Sequence, residues 1–445
     1  MKKALRIIAV ILTVSIITGI TAFAESGYAY DEDTLSAFAP KWTQIQSDET
    51  VISLAPGSEA GEIRFAWLSA ADDNNIAFRL SENTDMSDAK EIEVSTTDAI
   101  ADHKSNKVTV TGLKEGKTYY YSYTENGVWS ESTAFAVQPD EEFTVLFVSD
   151  AQIGRSGDET LEDVLIRDTC GWNYTVEKML AKYPEAAFAI SGGDQFQSPD
   201  SITQMKAYLS PEKLRSLPVA NTIGNHDDDS TLYGDIFNNP NEIFELFASD
   251  AGTGYYYTYG DALFITINSN NTSLSDTARV LRKATKAYPD TKWRVVTMHH
   301  NPYSASLSDD DFSDERLLFS SLYDCYDIDL VLSGHDHLYS RTEVMYGGKS
   351  SNGEGTVYIQ SSSASGSNYD PLPGETASFI VSAFDVRVPT YTAFDFTDDA
   401  IIGTTYRTDT DAVIDTFEIN DNETEFRLPV FSVVFSMIRT LFSMI

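Results

Sequence analysis

Residues 143–152 read FTVLFVSDAQ, and residues 186–195 read AAFAISGGDQ. Each is an apolar run of strand length that ends in small residues and an aspartate. Between them, TLEDVLIRDTCGWNYTVEKMLAKY (160–183) has the length and pattern of a helix. Downstream the same rhythm continues. PVANTI (218–223), ALFITIN (262–268), KWRVVTM (292–298) and DLVLS (329–333) read as strands, and SITQMKAYLSPEKL (201–214), DTARVLRKATKAY (276–288) and SDERLLFSSLYDCY (313–326) as helices. Later strands are expected near 355–360, 391–396 and 412–419. Strand–helix alternation predicts an α/β sheet covered by helices on both faces, spanning residues 143–420.

Upstream, the period changes. RFAWLSA (64–70), NIAFRLS (75–81), KEIEVST (90–96), NKVTVTGL (106–113), KTYYYSYTE (117–125) and STAFAVQ (132–138) alternate apolar and polar residues, with turn residues between them. This predicts an all-β domain over 41–138. Gly112-Leu113 ahead of Tyr119 and Tyr121 resembles the strand entry of a fibronectin type III sandwich, in which a tyrosine closes the corner. The polar stretch Pro139–Glu142 then reads as a linker.

At the amino end, Lys2, Lys3 and Arg6 precede an apolar run over 7–20 and the small-x-small sequence Ala22-Phe23-Ala24. Residues 1–24 therefore read as a signal peptide, and the chain as secreted or held at the cell surface. At the other end, LPVFSVVFSMIRTLFSMI (428–445) winds into a helix with a broad apolar face and a narrow polar stripe. Its alternatives are contact with a membrane surface or partner, or packing back on the body.

The 445 residues carry 31 Lys and Arg against 68 Asp and Glu, a formal charge of −37. Losing residues 1–24 removes three basic and no acidic side chains, which makes it −40. Such a chain repels nucleic-acid backbones, so no nucleic-acid partner is expected. Two cysteines, Cys170 and Cys325, provide neither a disulfide framework nor a four-thiolate zinc site; they either pair or remain buried thiols.

Five of the six histidines fall in three clusters: Asn225-His226-Asp227, His299-His300 and His335-Asp336-His337. Each cluster follows a predicted strand. Two other strands end at Asp150-Ala151-Gln152 and Asp194-Gln195. Carboxyl ends of strands gather at one edge of an α/β sheet, where ligands bind. An aspartate after a strand is commonly only a helix cap, but five such endings in this order point to a metal site. Carboxylates, amides and imidazoles without thiolates suit Zn, Mn or Fe. The donors outnumber what one tetrahedral ion takes and suffice for two ions sharing a carboxylate. Two such ions can activate water for in-line displacement at phosphorus.

The ordered strings SDAQ, GGDQ, GNHD, VTMHH and GHDH resemble the calcineurin-like metallophosphoesterases. GHDHLYSR (334–341), with a β-sandwich ahead of it, is similar to the purple acid phosphatases. The resemblance implies two β-sheets flanked by helices, with a dinuclear centre between the loops. It implies Asp150 and His337 on one ion, Asn225, His299 and His335 on the other, and Asp194 bridging. His226 would protonate the leaving group, with Asp227 orienting it. The chain departs from the family twice. Gln152 stands where a ligand histidine is usual, so it either ligates through oxygen, holds a water or sits behind the ligands. Gln197 stands where purple acid phosphatases carry their colour-giving tyrosine, so a non-purple relative is expected. His299 occupies the family's V-x-x-H position, which leaves His300 as the structural neighbour. Tyr303, Tyr339 and Arg341 either line the pocket or pack. The function implied is hydrolysis of a phosphate ester, most simply a monoester. A phosphodiesterase or nucleotide hydrolase, or a non-catalytic surface protein with a vestigial site, is the alternative.

Overall fold

The computed structural model describes residues 27–307 and 314–420; residues 1–24, expected to be a signal peptide, and the apolar segment at 428–445 lie outside the described residues. Among the described residues, no helix is long and apolar enough to cross a membrane.

Two short helices, Glu32–Phe38 and Trp42–Ser47, open the chain. Asp31 caps the first, its Oδ1 accepting the Thr34 amide at 2.9 Å. An all-β domain follows. One antiparallel sheet orders Ile52–Pro56, Ile63–Ala70, His103–Val110 and Ser95–Ala99. The other orders Lys90–Ile92, Phe78–Ser81, Thr118–Glu125 and Val128–Trp129, with Thr133–Ala136 also paired to Thr118–Glu125. Period-two alternation sends Phe65 and Trp67 from one sheet against Phe78, Tyr121 and Phe135 from the other. The ring of Phe65 lies 4.8 Å from that of Phe78 and 4.9 Å from that of Tyr121. Burying side chains of this size contributes roughly 1.5–3 kcal/mol each. Tyr119 closes the corner, its phenol oxygen accepting the Lys114 amide at 3.0 Å. The strand Ile52–Pro56 escapes the alternation rule because all five of its residues are buried.

Alternation alone leads to one sheet in the second domain. The strands are divided between two sheets, the arrangement the resemblance implies. The first sheet orders Val219–Asn221, Phe188–Ser191, Phe143–Val148, Thr390–Phe396, Ala400–Arg407 and Val413–Asn420. The second orders Tyr255–Tyr259, Ala262–Thr266, Trp293–Thr297, Leu330–Ser333, Val357–Gln360, Tyr339–Thr342 and Ile380–Phe384. Their inner faces share one core, with Val145, Phe147, Phe188 and Ile190 meeting Phe264, Val295, Leu330 and Leu332. Outside the first sheet pack the helices Glu162–Lys182 and Ile202–Tyr208. Outside the second pack Leu274–Ala287 and Asp314–Cys325. The helix expected over 201–214 stops at Tyr208, ahead of Pro211, and resumes as a short 3₁₀ turn at Glu212–Arg215. Cys170 and Cys325 are both buried and are not joined to each other.

The two domains are not beads on a string. Trp42, Val51 and Leu68 belong to the same buried cluster as Leu146, Trp172 and Tyr233. The Tyr121 hydroxyl donates to the Arg215 carbonyl at 2.9 Å, and Asn238 Nδ2 donates to the Val108 carbonyl at 3.0 Å.

Candidate metal centre

Phe143–Val148, Phe188–Ser191 and Val219–Asn221 run parallel in one sheet, and Trp293–Thr297 and Leu330–Ser333 run parallel in the other. The loops that leave their carboxyl ends meet. The Asp150 amide donates to the Gly193 carbonyl at 3.1 Å, and the Gly334 amide to the His299 carbonyl at 3.0 Å. The His335 amide reaches the Asp150 carboxylate at 3.1 Å.

The side chains collect in two groups that share one carboxylate. In the first group, His337 Nε2 lies 3.3 Å from Asp150 Oδ1. In the second, His299 Nε2 lies 3.3 Å from Asp194 Oδ2 and 3.2 Å from Asn225 Oδ1, while His335 Nδ1 lies 3.0 Å from the same Asn225 oxygen. Asp194 joins the groups, since donor atoms of Asp150, Asp194 and His299 all fall within 4.8 Å of one another. Asp150, Asp194, His299 and His337 are buried, whereas Asn225 and His335 are exposed and form the mouth.

Two imidazoles are oriented from behind. His299 Nδ1 donates to the Gly192 carbonyl at 3.0 Å, and His337 Nδ1 to the Asn368 carbonyl at 3.2 Å. Each bond fixes the tautomer and leaves Nε2 facing a carboxylate, as a metal-binding histidine requires. Gln152 is buried, and its side-chain oxygen has no hydrogen-bond partner among the described residues. A buried amide oxygen left without a donor is costly, and a cation resolves it. The residues present therefore fit a pair of metal ions.

Backbone strain is concentrated here. Asp150 (φ +53°), Gln152 (+34°), Asp194 (+51°), His335 (+79°) and His337 (+50°) all adopt left-handed conformations. These are five of the seven expected ligand positions, and each such residue costs on the order of 1–3 kcal/mol. Hydrogen bonds hold them there, among them the Gln152 amide on the Asp194 carbonyl at 2.8 Å. Two glycines make the approach possible. A methyl on Gly224 would overlap Asp194 Oδ1, and one on Gly334 would overlap Asp150 Oδ2. That is the steric reason for glycine at the head of GNHD and GHDH.

The charges balance within the cluster. Burial pulls the His299 imidazole down, but the Asp194 carboxylate and then Asp150 outweigh it and hold it up at about 10. Burial works against the Asp194 carboxylate, yet His299 and His226 keep it below the usual range. His337 is likewise held up against burial by Asp150.

The expected role of Asp227 is corrected. It is fully buried and faces backbone, not the His226 ring. Its Oδ2 accepts the amides of Gly224 at 2.8 Å and Asp194 at 2.9 Å, and its Oδ1 accepts that of Gln195 at 3.1 Å. The ring of His226 is held instead by Gln197: Nδ1 lies 3.1 Å from both its backbone oxygen and its side-chain amide. No periodicity signals that contact, because it joins two loops. His300 flanks the cluster, its ring 4.5 Å from that of His335 and its Nδ1 2.8 Å from Ser269 Oγ. Tyr339 and Arg341 serve packing: the Tyr339 hydroxyl and Arg341 Nε donate to Asp415 Oδ2 at 2.8 and 2.7 Å. Tyr303 is buried beneath Arg316.

Residues 143–339 match the family model for calcineurin-like phosphoesterases, and residues 50–137 match that for the purple acid phosphatase N-terminal domain. Purple acid phosphatase 23 of Arabidopsis thaliana is 31% identical over 140 residues, which cover 28% of this chain and 29% of that protein. The alignable part is thus under a third of either chain. The purple acid phosphatase PPD1 from yellow lupin (Lupinus luteus) seeds superposes with a TM-score of 0.66 at 16% identity, covering 86% of this chain and 75% of that one. At that identity the likeness speaks for the fold. Converging loops, a shared carboxylate and both domain matches lead to one statement: this chain joins a purple acid phosphatase N-terminal domain to a calcineurin-like metallophosphoesterase domain.

Proposed function

We propose that this chain is a secreted, metal-dependent phosphoesterase acting on phosphate monoesters. The observation that carries the reading is the pair of donor groups joined by Asp194 and open to solvent at Asn225 and His335. Export rests on the leader-like residues 1–24. Monoester preference rests on the likeness to phosphatases.

When two divalent ions are bound, they supply Lewis acidity that acidifies water and offsets charge on the phosphoryl oxygens. Asp150, Gln152 and His337 would hold one, Asn225, His299 and His335 the other, and Asp194 both. The protein's own work is orientation and proton transfer. His226 sits half-buried beside the mouth, its backbone amide fixed to Asp194 Oδ1 at 2.8 Å. The backbone oxygen and the side-chain amide nitrogen of Gln197 both engage Nδ1, which fixes the ring and leaves Nε2 as the nitrogen that would meet the ester. From Nε2 a proton passes to the departing alcohol oxygen as the P–O bond breaks. The −37 charge slows long-range approach of anions, but ions in the site reverse the field locally.

The test is hydrolysis of a chromogenic phosphomonoester and a matching diester by purified protein supplied with Zn, Mn or Fe. Wild type is expected to turn over the monoester faster, and Asp194→Asn and His226→Ala to lose at least about 100-fold. Equal inactivity of all three with every metal would defeat the catalytic reading, and faster diester turnover would move the substrate class. Fractionation of the native host, with the 428–445 segment intact or removed, separates release from surface attachment.

A further inference from the structure

The two donor groups are chemically unequal. The second combines Asp194, Asn225 and two imidazoles, His299 and His335. Four donors with two nitrogens match what zinc takes. The first has a single imidazole, His337, with the carboxylates of Asp150 and Asp194. Its remaining candidate donor is the Gln152 oxygen. That side chain is 1% exposed and its Oε1 is unpartnered among the described residues. Gln152 is held two positions beyond Asp150, in a left-handed conformation, with its amide on the Asp194 carbonyl at 2.8 Å. Gln195 and Gln197 also carry unpartnered side-chain oxygens among the described residues, but their amide nitrogens are held by Ser191, the Thr222 carbonyl and His226. A cation beside Gln152 Oε1 removes the penalty.

Donor type decides which ion. Carboxylate and amide oxygens favour hard divalent ions, and imidazoles favour zinc and its neighbours. A neutral amide also adds no charge to offset a trivalent ion. We propose that the two halves differ in metal preference: the His299/His335 half is the tighter zinc site, and in the Asp150/Gln152/His337 half Gln152 Oε1 is a ligand that shifts the preference toward manganese(II) relative to an imidazole at the same position. Magnesium suits the second role less, because it gives up water reluctantly and is rarely held with imidazole. The inference rests on the phosphoesterase reading only for the existence of two ions, and its test does not need turnover.

The experiment is calorimetric titration of metal-free protein with zinc, then of the one-zinc protein with either zinc or manganese, with bound metal counted by mass spectrometry. Wild type is expected to bind its first zinc at least about 100-fold tighter than its second, reflecting the donor difference. Gln152→Ala should weaken manganese at the second step by about 10-fold or more, the usual scale for a lost contact at a metal site. Gln152→His should raise the ratio of zinc to manganese affinity at that step by a similar factor. Electron paramagnetic resonance of the manganese reports the same change without any assay of activity. Thermal melts of the metal-free variants show whether each is folded before it is titrated. Two equal zinc steps in wild type, or an unchanged zinc-to-manganese ratio in folded Gln152→His, overturns the proposal. An inactive wild type with unequal steps would sink the phosphoesterase reading and leave this one standing.

Discussion

Asp194 and His299 hold opposite charges inside the protein, and that pair sets how the site answers to pH. His299 is held up at about 10, above its ordinary value near 6.5. A group raised on folding stabilises fully below its unfolded pKa and loses that contribution as pH climbs through the folded one. Chelated protein should therefore lose melting temperature between pH 6.5 and 10, and His299→Gln should flatten the slope over that window. Differential scanning fluorimetry across pH checks it. The same proton must leave before a cation can use Nε2, so zinc uptake at pH 7 should release acid. Calorimetry in buffers of different ionisation enthalpy measures the number released. At the same scale, Gly334→Ala pushes a methyl into Asp150 Oδ2. Displacing a site group by even 1 Å can cost about 100-fold in rate. Gly334→Ala is expected to lose at least that much phosphatase activity while its circular dichroism stays native.

Among the elements, the loops carry the design, and Asp227 is their rivet. One buried carboxylate takes the amides of Gly224, Asp194 and Gln195, and so locks GNHD to GGDQ. Burial and then the Asp194 charge push its pKa well upward, while the Gly224 and Gln195 amides and the His299 charge favour the ionised form. Removing it leaves buried donors without partners, at roughly 1–3 kcal/mol for each. Asp227→Ala should therefore lower stability by about 3 kcal/mol or more and weaken metal binding together, read by urea melts and zinc titration. The motif string points to Asp227, but only the fold shows that it faces backbone and that Gln197 stands at His226. The sequence also hides the strand Ile52–Pro56, whose burial on every side erases alternation.

At the scale of the molecule, the two domains share a core. Trp42, Val51 and Leu68 lie in one cluster with residues of the sheet that carries Asp150 and Asp194. A shared core couples unfolding, so calorimetry of the intact protein should show one transition, and residues 143–420 alone should melt well below it. Two independent transitions would contradict the coupling. Metal should stabilise the whole, because an ion that binds only the folded form adds about 2.7 kcal/mol at a hundredfold excess over its Kd. Restoring zinc or manganese to chelated protein should therefore raise the melting temperature by about 5 °C. Asp194→Asn should remove most of that rise.

Periodicity and composition, read alone, determined an all-β domain followed by an α/β domain, the acidic charge and the candidate side chains for holding metal, but not the division of the α/β strands between two sheets. They could do so because burial enforces a two-residue repeat in half-buried strands, and because histidine, asparagine and aspartate after strand ends have few common uses together. Which oxygen and nitrogen atoms face one another was decided only by tertiary structure. The contacts that matter here join Gln152 to Asp194, Gln197 to His226 and Asp227 to three loop amides. They are made across loops with no repeat of their own, and two of the residues involved, Gln152 and Asp194, are left-handed, a conformation that only the packed sheets behind them can hold in place.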